Sequence, residues 1–469
     1  MPGKKQILLA VVFILLTTMA CSLPFNSNGP TQEEISETAA AAVAATLTAI
    51  APLEIPTEIV EPGAPDTTPL PDTEPTITVK SKPDELRIAI IDSDRNLHAW
   101  REGESPTMIV NKGDVSQAVL SPDGEWIVFT RTAADGIDIS LWAIRFDGSE
   151  QKILVSHTDF MTMPLHPDLT DLSTILTVAP HMIKFIPGTH TVVFNIYPQF
   201  DAPGFLDNKD LWYINVDTAE RRAFLSPGQA GHFYFSPDGT QMALVTPERI
   251  DLLNTDGSNR RFGVLSYAFV YTYSEYAYHA VPVWSPDSSF LRVSIPPQDP
   301  LGDSTAPVNI YHLPTDGSLA TLLTSVVVAP LDNAILAPDV NHFVYKEQIG
   351  DPADNLFSLK FSDLSGGSPS EFTTGSLGFG NWAPDSSHFT FYTWNPRETF
   401  IGQVGAPGVI AIDVSPVMNF SWITSDRFVF IHQSGTNYQL RIGTLSTASV
   451  EIADLGSGLG NPTYDFVSP

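Results

Sequence analysis

Cysteine is almost absent from this chain: its 469 residues include one, Cys21. A single thiol excludes an internal disulfide framework and any metal or iron–sulfur centre built on cysteines. Basic residues are scarce as well. Lys and Arg total 24 against 53 Asp and Glu, a formal net charge of −29. Such a surface repels phosphate backbones, so no nucleic-acid partner is expected. Catalytic signatures are missing too. There is no Gly-x-Ser-x-Gly elbow, no His-Glu-x-x-His and no glycine-rich phosphate loop, and the 11 histidines are scattered. Asp92-Ser93-Asp94-Arg95-Asn96 begins like a calcium loop. It lacks the sixth-position Gly and the twelfth-position Glu, so it reads as a turn between strands. The carboxylates are too numerous for any pair to stand out as general acid and base. No catalytic residue, metal ligand or cofactor is therefore assigned.

What the chain does have begins at its N-terminus. Lys4 and Lys5 precede an unbroken apolar run from Ile7 to Leu16. That run suits the core of a secretory signal and is short for a bilayer span. Thr17-Thr18-Met19-Ala20-Cys21 follows. The stretch resembles a bacterial lipobox, with small Ala20 before Cys21, although Thr18 stands where Leu is common. The resemblance implies cleavage of residues 1–20 and lipidation of Cys21, and hence an extracytoplasmic protein anchored to a bacterial membrane. The alternative is an ordinary cleaved signal in which Cys21 has no special role. Residues 21–82 form an Ala-, Pro-, Thr- and acid-rich tether, too poor in aromatics to bury much surface. Within it, Thr31 and Glu34 have capping-box spacing, and Ile35, Ala39, Val43, Leu47 and Ile50 recur at helical spacing up to Pro52. A short helix over 32–51 is expected, either transient or used for self-association or membrane contact.

From residue 83 to 469 the chain repeats itself. Ser121-Pro122-Asp123-Gly124 and Ser236-Pro237-Asp238-Gly239 are full copies of one motif. Ser285-Pro286-Asp287-Ser288, Ala337-Pro338-Asp339-Val340 and Ala383-Pro384-Asp385-Ser386 are close variants, with degenerate copies at Ile186-Pro187-Gly188 and Thr424-Ser425-Asp426. Proline pre-sets the second position of a tight turn, Asp or Ser suits the third and Gly the fourth. Apolar runs on both sides make each motif a β-hairpin, and further short strands complete a unit of four. An all-β chain of four-stranded antiparallel meanders at this period is a β-propeller. The motifs resemble the TolB-like and WD40-like (PD40-type) propeller repeats of bacterial cell-envelope proteins, a resemblance that specifies fold more than function.

Nine turn marks run from Pro83 to Pro469. The chain ends on "YDFVSP", the first half of the motif, and the body opens on "KPDELRIAII", the second half. The C-terminal strand is therefore expected to complete the N-terminal blade, giving eight blades. Seven would follow if the last segment only packs outside. The eight tryptophans are read as packing between blades.

With strands lettered a to d in each blade, the a–b and c–d turns share one face of the disc. The b–c loops and d–a crossings share the other. The longer segments are 156–180 and 266–279 as crossings, and 197–210, 296–307, 347–354 and 394–408 as b–c loops. All six fall on one face, where function is usually carried. Candidate binding residues there are Tyr267, Tyr271, Tyr273, Tyr276, Phe200, Phe205, Trp394 and Phe400. The competing reading is that these rings only cover the channel and pack on one another. The expected function is a non-enzymatic, monomeric, lipid-anchored binding or scaffold module for an envelope protein or glycan. The alternative is a propeller enzyme, a glycan-active hydrolase or lyase with its site at the channel mouth.

Overall fold

Each Ser-Pro-Asp-Gly motif closes a turn through its own side chains. In the computed structural model of the chain, the Gly124 N–H donates to the Ser121 carbonyl (2.8 Å). Asp123 Oδ1 accepts from Ser121 Oγ (2.7 Å) and from the Glu125 N–H (3.1 Å). Ser121 Oγ accepts in turn from the Trp126 N–H, at 2.9 Å. Ser236 with Asp238 and Ser285 with Asp287 repeat the pattern, with hydroxyl-to-carboxylate distances of 2.6 and 2.7 Å. The fourth residue is left-handed in the five full or close copies: φ is 68° at Gly124, 71° at Gly239, 62° at Ser288, 56° at Val340 and 63° at Ser386. At Gly239 glycine is required twice over, because a Cβ would also lie 2.7 Å from the Pro187 carbonyl of the preceding blade. Where serine takes this position, its hydroxyl accepts an N–H from the preceding blade. Asp238 donates to Ser288 Oγ (3.2 Å) and Asp339 to Ser386 Oγ (2.9 Å).

The described residues are 81–201, 207–364 and 369–469. The signal segment 1–20, Cys21, nearly all of the tether, the expected helix at 32–51 and Phe205 lie outside them. The strands form eight four-stranded antiparallel sheets, an eight-bladed propeller. Seven blades run in simple order, a to d. Their innermost strands are Val115–Leu120, Ile175–Phe185, His232–Phe235, Val283–Trp284, Ile335–Leu336, Leu377–Trp382 and Val417–Trp422, for blades 2 to 8. Blade 1 is composite. Thr463–Val467 supplies its innermost strand and pairs with Arg87–Ile91, from Arg87↔Val467 to Ile91↔Thr463. This excludes the seven-blade reading.

Packing follows from this arrangement. The buried apolar residues fall into eight clusters, each drawn from two successive blades. The second strand of a blade is buried on both faces, as in Trp126–Thr132, whose first five residues are all buried. Seven of the eight tryptophans belong to these clusters or pack against them; Trp394 is exposed. The ends of the ring are joined by more than the ladder. Ser93 binds the Leu455 carbonyl through both its N–H (2.9 Å) and its hydroxyl (2.8 Å), and Asp465 Oδ2 accepts from the Leu120 N–H of blade 2 (2.7 Å). Asp92 Oδ1 caps the first b–c turn by accepting from the Asp94 and Asn96 N–H groups, so that segment is a strand-connecting turn.

Deletion of residues 461–469 removes a whole strand and uncovers apolar residues of blades 8 and 1. Stability should fall by several kcal/mol, since each large apolar side chain fully uncovered costs about 1.5–3 kcal/mol. A melting curve of the truncated chain that coincides with that of the intact chain would refute this account of closure.

Candidate functional site

The face opposite the Ser-Pro-Asp-Gly turns carries the longer connections, as strand parity requires. The crossing between blades 2 and 3 holds a short helix, His157–Met161, capped by Ser156, whose Oγ accepts from the Asp159 N–H at 3.1 Å. Three expected loops need correction, since residues 175–180 belong to strand Ile175–Phe185 and residues 197–200 to strand Thr191–Phe200. Residues 394–408 are not a single loop: only 394–398 connect strands b and c of blade 7, and Thr399–Gln403 and Ala406–Ala411 are strands c and d. Phe400 therefore lies within a strand, half-buried and stacked on Phe391 with centroids 5.3 Å apart. Gly402 is close-packed there, with no room for a Cβ against the Phe389 and Phe372 rings.

The tyrosine-rich crossing between blades 4 and 5 divides into anchors and a tip. Tyr267 and Tyr278 are half-buried against the cluster that joins these blades. Their hydroxyls donate to the Thr246 carbonyl (2.6 Å) and the Ser294 carbonyl (3.1 Å). Phe269, Tyr271, Tyr273 and Tyr276 stand exposed between them. The tip leans on the neighbouring b–c loop: the Tyr271 N–H donates to the Gln298 carbonyl (2.8 Å) and the Tyr273 hydroxyl to Asp299. Trp394 is exposed on blade 7, edge-on to Tyr392 and under the Arg397 guanidinium. Phe200 is half-buried at the end of its strand, paired with Ile175.

The same crossing ends in His279, and the fold gathers other titratable groups around it. His181 comes from the innermost strand of blade 3 and His232 opens that of blade 4. Asp207 lies in the b–c loop of blade 3. The His232 and His279 rings stack at 3.8 Å with 12° between planes, and the His181 ring lies 5.7 Å from that of His232. His279 Nε2 and Asp207 Oδ2 are 3.6 Å apart. The loop is pinned on both sides. Asn208 Oδ1 accepts from the His166 N–H (2.7 Å), and the Ala230 N–H donates to the Lys209 carbonyl (2.6 Å). Buried Asp210 holds the Ile196 N–H (3.0 Å) and Trp212 Nε1 (2.7 Å), and burial pushes its carboxyl up to about 6.

Burial dominates the electrostatics here. It lowers His181, and with the neighbouring His279 it brings His232 down to about 4, so both rings are neutral near pH 7. Burial opposes ionisation of Asp207, but contacts from His279 and the Lys209 N–H outweigh it and hold the carboxylate below its usual range. Burial also lowers the Lys184 amine, which sits over the Phe233 and Tyr234 rings. Burial, with the Asp207 charge and then Tyr276 adding to it, pushes the Tyr197 hydroxyl up to about 12. Nothing in the local sequence around these residues forms a motif. The signal that could have found them is the repeat itself, because three histidines stand in or just before the innermost strands of three successive blades.

A second group, Asp123, Glu125 and His190, lies on the opposite face. It reads as a tie between turns. His190 Nε2 binds Asp123 (2.8 Å) and Nδ1 binds Asp217 (2.8 Å), while Trp126 Nε1 donates to Asp217 as well (2.9 Å).

No family profile matches the sequence, and no curated protein does. Solved structures are similar in fold. A prolyl endopeptidase matches at 14% identity and TM-score 0.48, over 76% of this chain and 50% of its own length. Oligogalacturonate lyase from Vibrio parahaemolyticus matches at 13% identity and TM-score 0.42, over 70% of this chain and 89% of its own. TolB from Acinetobacter baumannii matches at 14% identity and TM-score 0.31, over 59% and 68%. A likeness at this identity carries no argument about what this chain does.

The division of the tyrosine crossing has a stability signature. Tyr267→Phe deletes a hydrogen bond to a half-buried carbonyl and should cost about 0.5–1.5 kcal/mol. Tyr271→Ala removes an exposed ring and should stay within about 0.5 kcal/mol of the parent. Denaturant titration of the two variants checks the ordering; the reverse order would make the tip part of the core.

Proposed function

We propose that the protein is a non-enzymatic binding or scaffold propeller, held outside the cytoplasm of a bacterium by a lipid on Cys21, that takes an envelope protein or a glycan on its long-loop face. The observation that carries this reading is the exposed aromatic tip Phe269, Tyr271, Tyr273 and Tyr276, clamped at both ends by the half-buried anchors Tyr267 and Tyr278. Rigid aromatic rings offer large amphipathic contact area at low entropic cost. Among the described residues, the carboxylates pushed upward, Asp210, Asp332 and Asp465, belong to separate parts of the ring and form no pair. The second reading, a propeller enzyme acting on glycans, is favoured by one observation, the Asp207–His232–His279 grouping beside that tip.

Two experiments test the proposal. Cys21→Ser should release the protein from membranes or block its processing. Unchanged fractionation with unchanged mass defeats the anchor. Crosslinking of the native protein in its membrane, read by mass spectrometry, identifies the partner. Against that partner, Tyr271→Ala with Tyr273→Ala should lose about 1–2 kcal/mol of binding per ring. Asp256→Ala and Asp316→Ala, in c–d turns on the opposite face, should bind as the parent does. Hydrogen-exchange protection that maps to the Ser-Pro-Asp-Gly face on partner binding would overturn the assignment.

A further inference from the structure

Two buried acceptor atoms face one another in the grouping at blades 3 to 5. Asp207 Oδ2 and His279 Nε2 both lack a hydrogen-bond partner. Their side chains are only 16% and 12% exposed. A buried polar atom left without a partner is uncommon and calls for an ion or a water. The other atoms of the two groups are already bonded. Asp207 Oδ1 accepts from the Lys209 N–H (3.1 Å). His279 Nδ1 lies 3.3 Å from the Ala277 carbonyl, to which it donates. Nε2 is then the ring nitrogen that faces the carboxylate. A backbone carbonyl that sets the tautomer in this way is the usual outer partner of a metal-binding histidine.

We propose that Asp207, His232 and His279 bind one divalent transition cation, with zinc the simplest fit to two imidazoles and a carboxylate. The donor atoms of the three residues lie within 4.8 Å of one another. Tetrahedral coordination at about 2.0–2.1 Å places donors roughly 3.4 Å apart. The 3.6 Å between Asp207 and His279 already meets this, and His232 closes on the ion as its ring unstacks from His279. Three protein ligands leave a fourth position for water or for an oxygen of a bound molecule. His181 flanks the site, and Lys184, whose charge acts on both His181 and His232, is the competing cation beside it. The site rests on its donor set and stands whether or not the neighbouring tyrosines hold a partner.

The test is titration of the full-length protein, stripped with a chelator, with zinc chloride, followed by calorimetry and by melting temperature. One equivalent should bind and raise the melting temperature. His232→Ala, His279→Ala and Asp207→Asn should each weaken binding by about tenfold or more. Cys21→Ser, which removes the only thiol, and His342→Ala, on the turn face, should leave it unchanged. Circular dichroism without metal checks each fold. If a histidine variant does not fold, Asp207→Asn, which keeps the shape of the side chain, decides the matter. Failure of the parent to bind, or binding that persists in the folded variants, overturns the proposal.

Discussion

Everything in this propeller depends on a single ladder of backbone hydrogen bonds, the pairing of Thr463–Val467 with Arg87–Ile91. A blade has no core of its own; its middle strands bury their side chains against the blades on either side. In an open array the first and last blades would each present an apolar face and an unpaired edge. The composite blade removes both. Tyr464 and Phe466 pack toward blade 8, and Val467 packs toward blade 2. Tyr464 adds a hydrogen bond to the Val429 carbonyl (2.9 Å). Asp465, pushed up to about 6 by burial, still binds the Leu120 N–H. The closing strand is thus bonded to both neighbours of its own blade.

The Ser-Pro-Asp-Gly turn explains why the two faces differ. Its serine, aspartate and left-handed fourth residue satisfy one another locally, and the fourth residue also meets the preceding blade, by close approach at Gly239 or through a hydroxyl at Ser288 and Ser386. A face built of such turns has little freedom to accept insertions, because a longer turn would break contact with its neighbour. The b–c loops and d–a crossings are tied to their neighbours only at particular residues, such as Asn208 and Tyr271, and not by a repeated turn. Sequence variety collects there, and with it the exposed rings and the gathered histidines.

The turn chemistry made the fold legible from sequence. Proline at the second position, with Ser425 in its place once, counted the blades, and half-motifs at the two ends announced the closure. The finer errors share a cause. Gly402, Gly405 and Pro407 made the end of blade 7 read as loop, whereas Gly402 is where Phe389 and Phe372 press against the strand. Tyr267 and Tyr271 look alike in sequence; only the distance to the Thr246 carbonyl separates an anchor from a tip. The histidines went unmarked because their proximity arises from stacking three blades, a relation that no local window contains.

That stacking also sets how well such a site can be held. Its donors come from three places in the chain: the b–c loop of blade 3, the first residue of blade 4 and the crossing into blade 5. Their separation is governed by how these blades pack. Phe233, next to His232, is fully buried in the interface between blades 3 and 4, and Ala280, next to His279, is fully buried between blades 4 and 5. Each histidine donor is thus the chain neighbour of a core residue, and Asp207 is the neighbour of Asn208 with its two bonds to the crossing before blade 3. Bracing of this kind fixes the backbone positions from which the three side chains reach. The exposed tyrosines share the same crossing as His279, so whatever rests on their rings lies beside groups whose spacing the whole ring maintains.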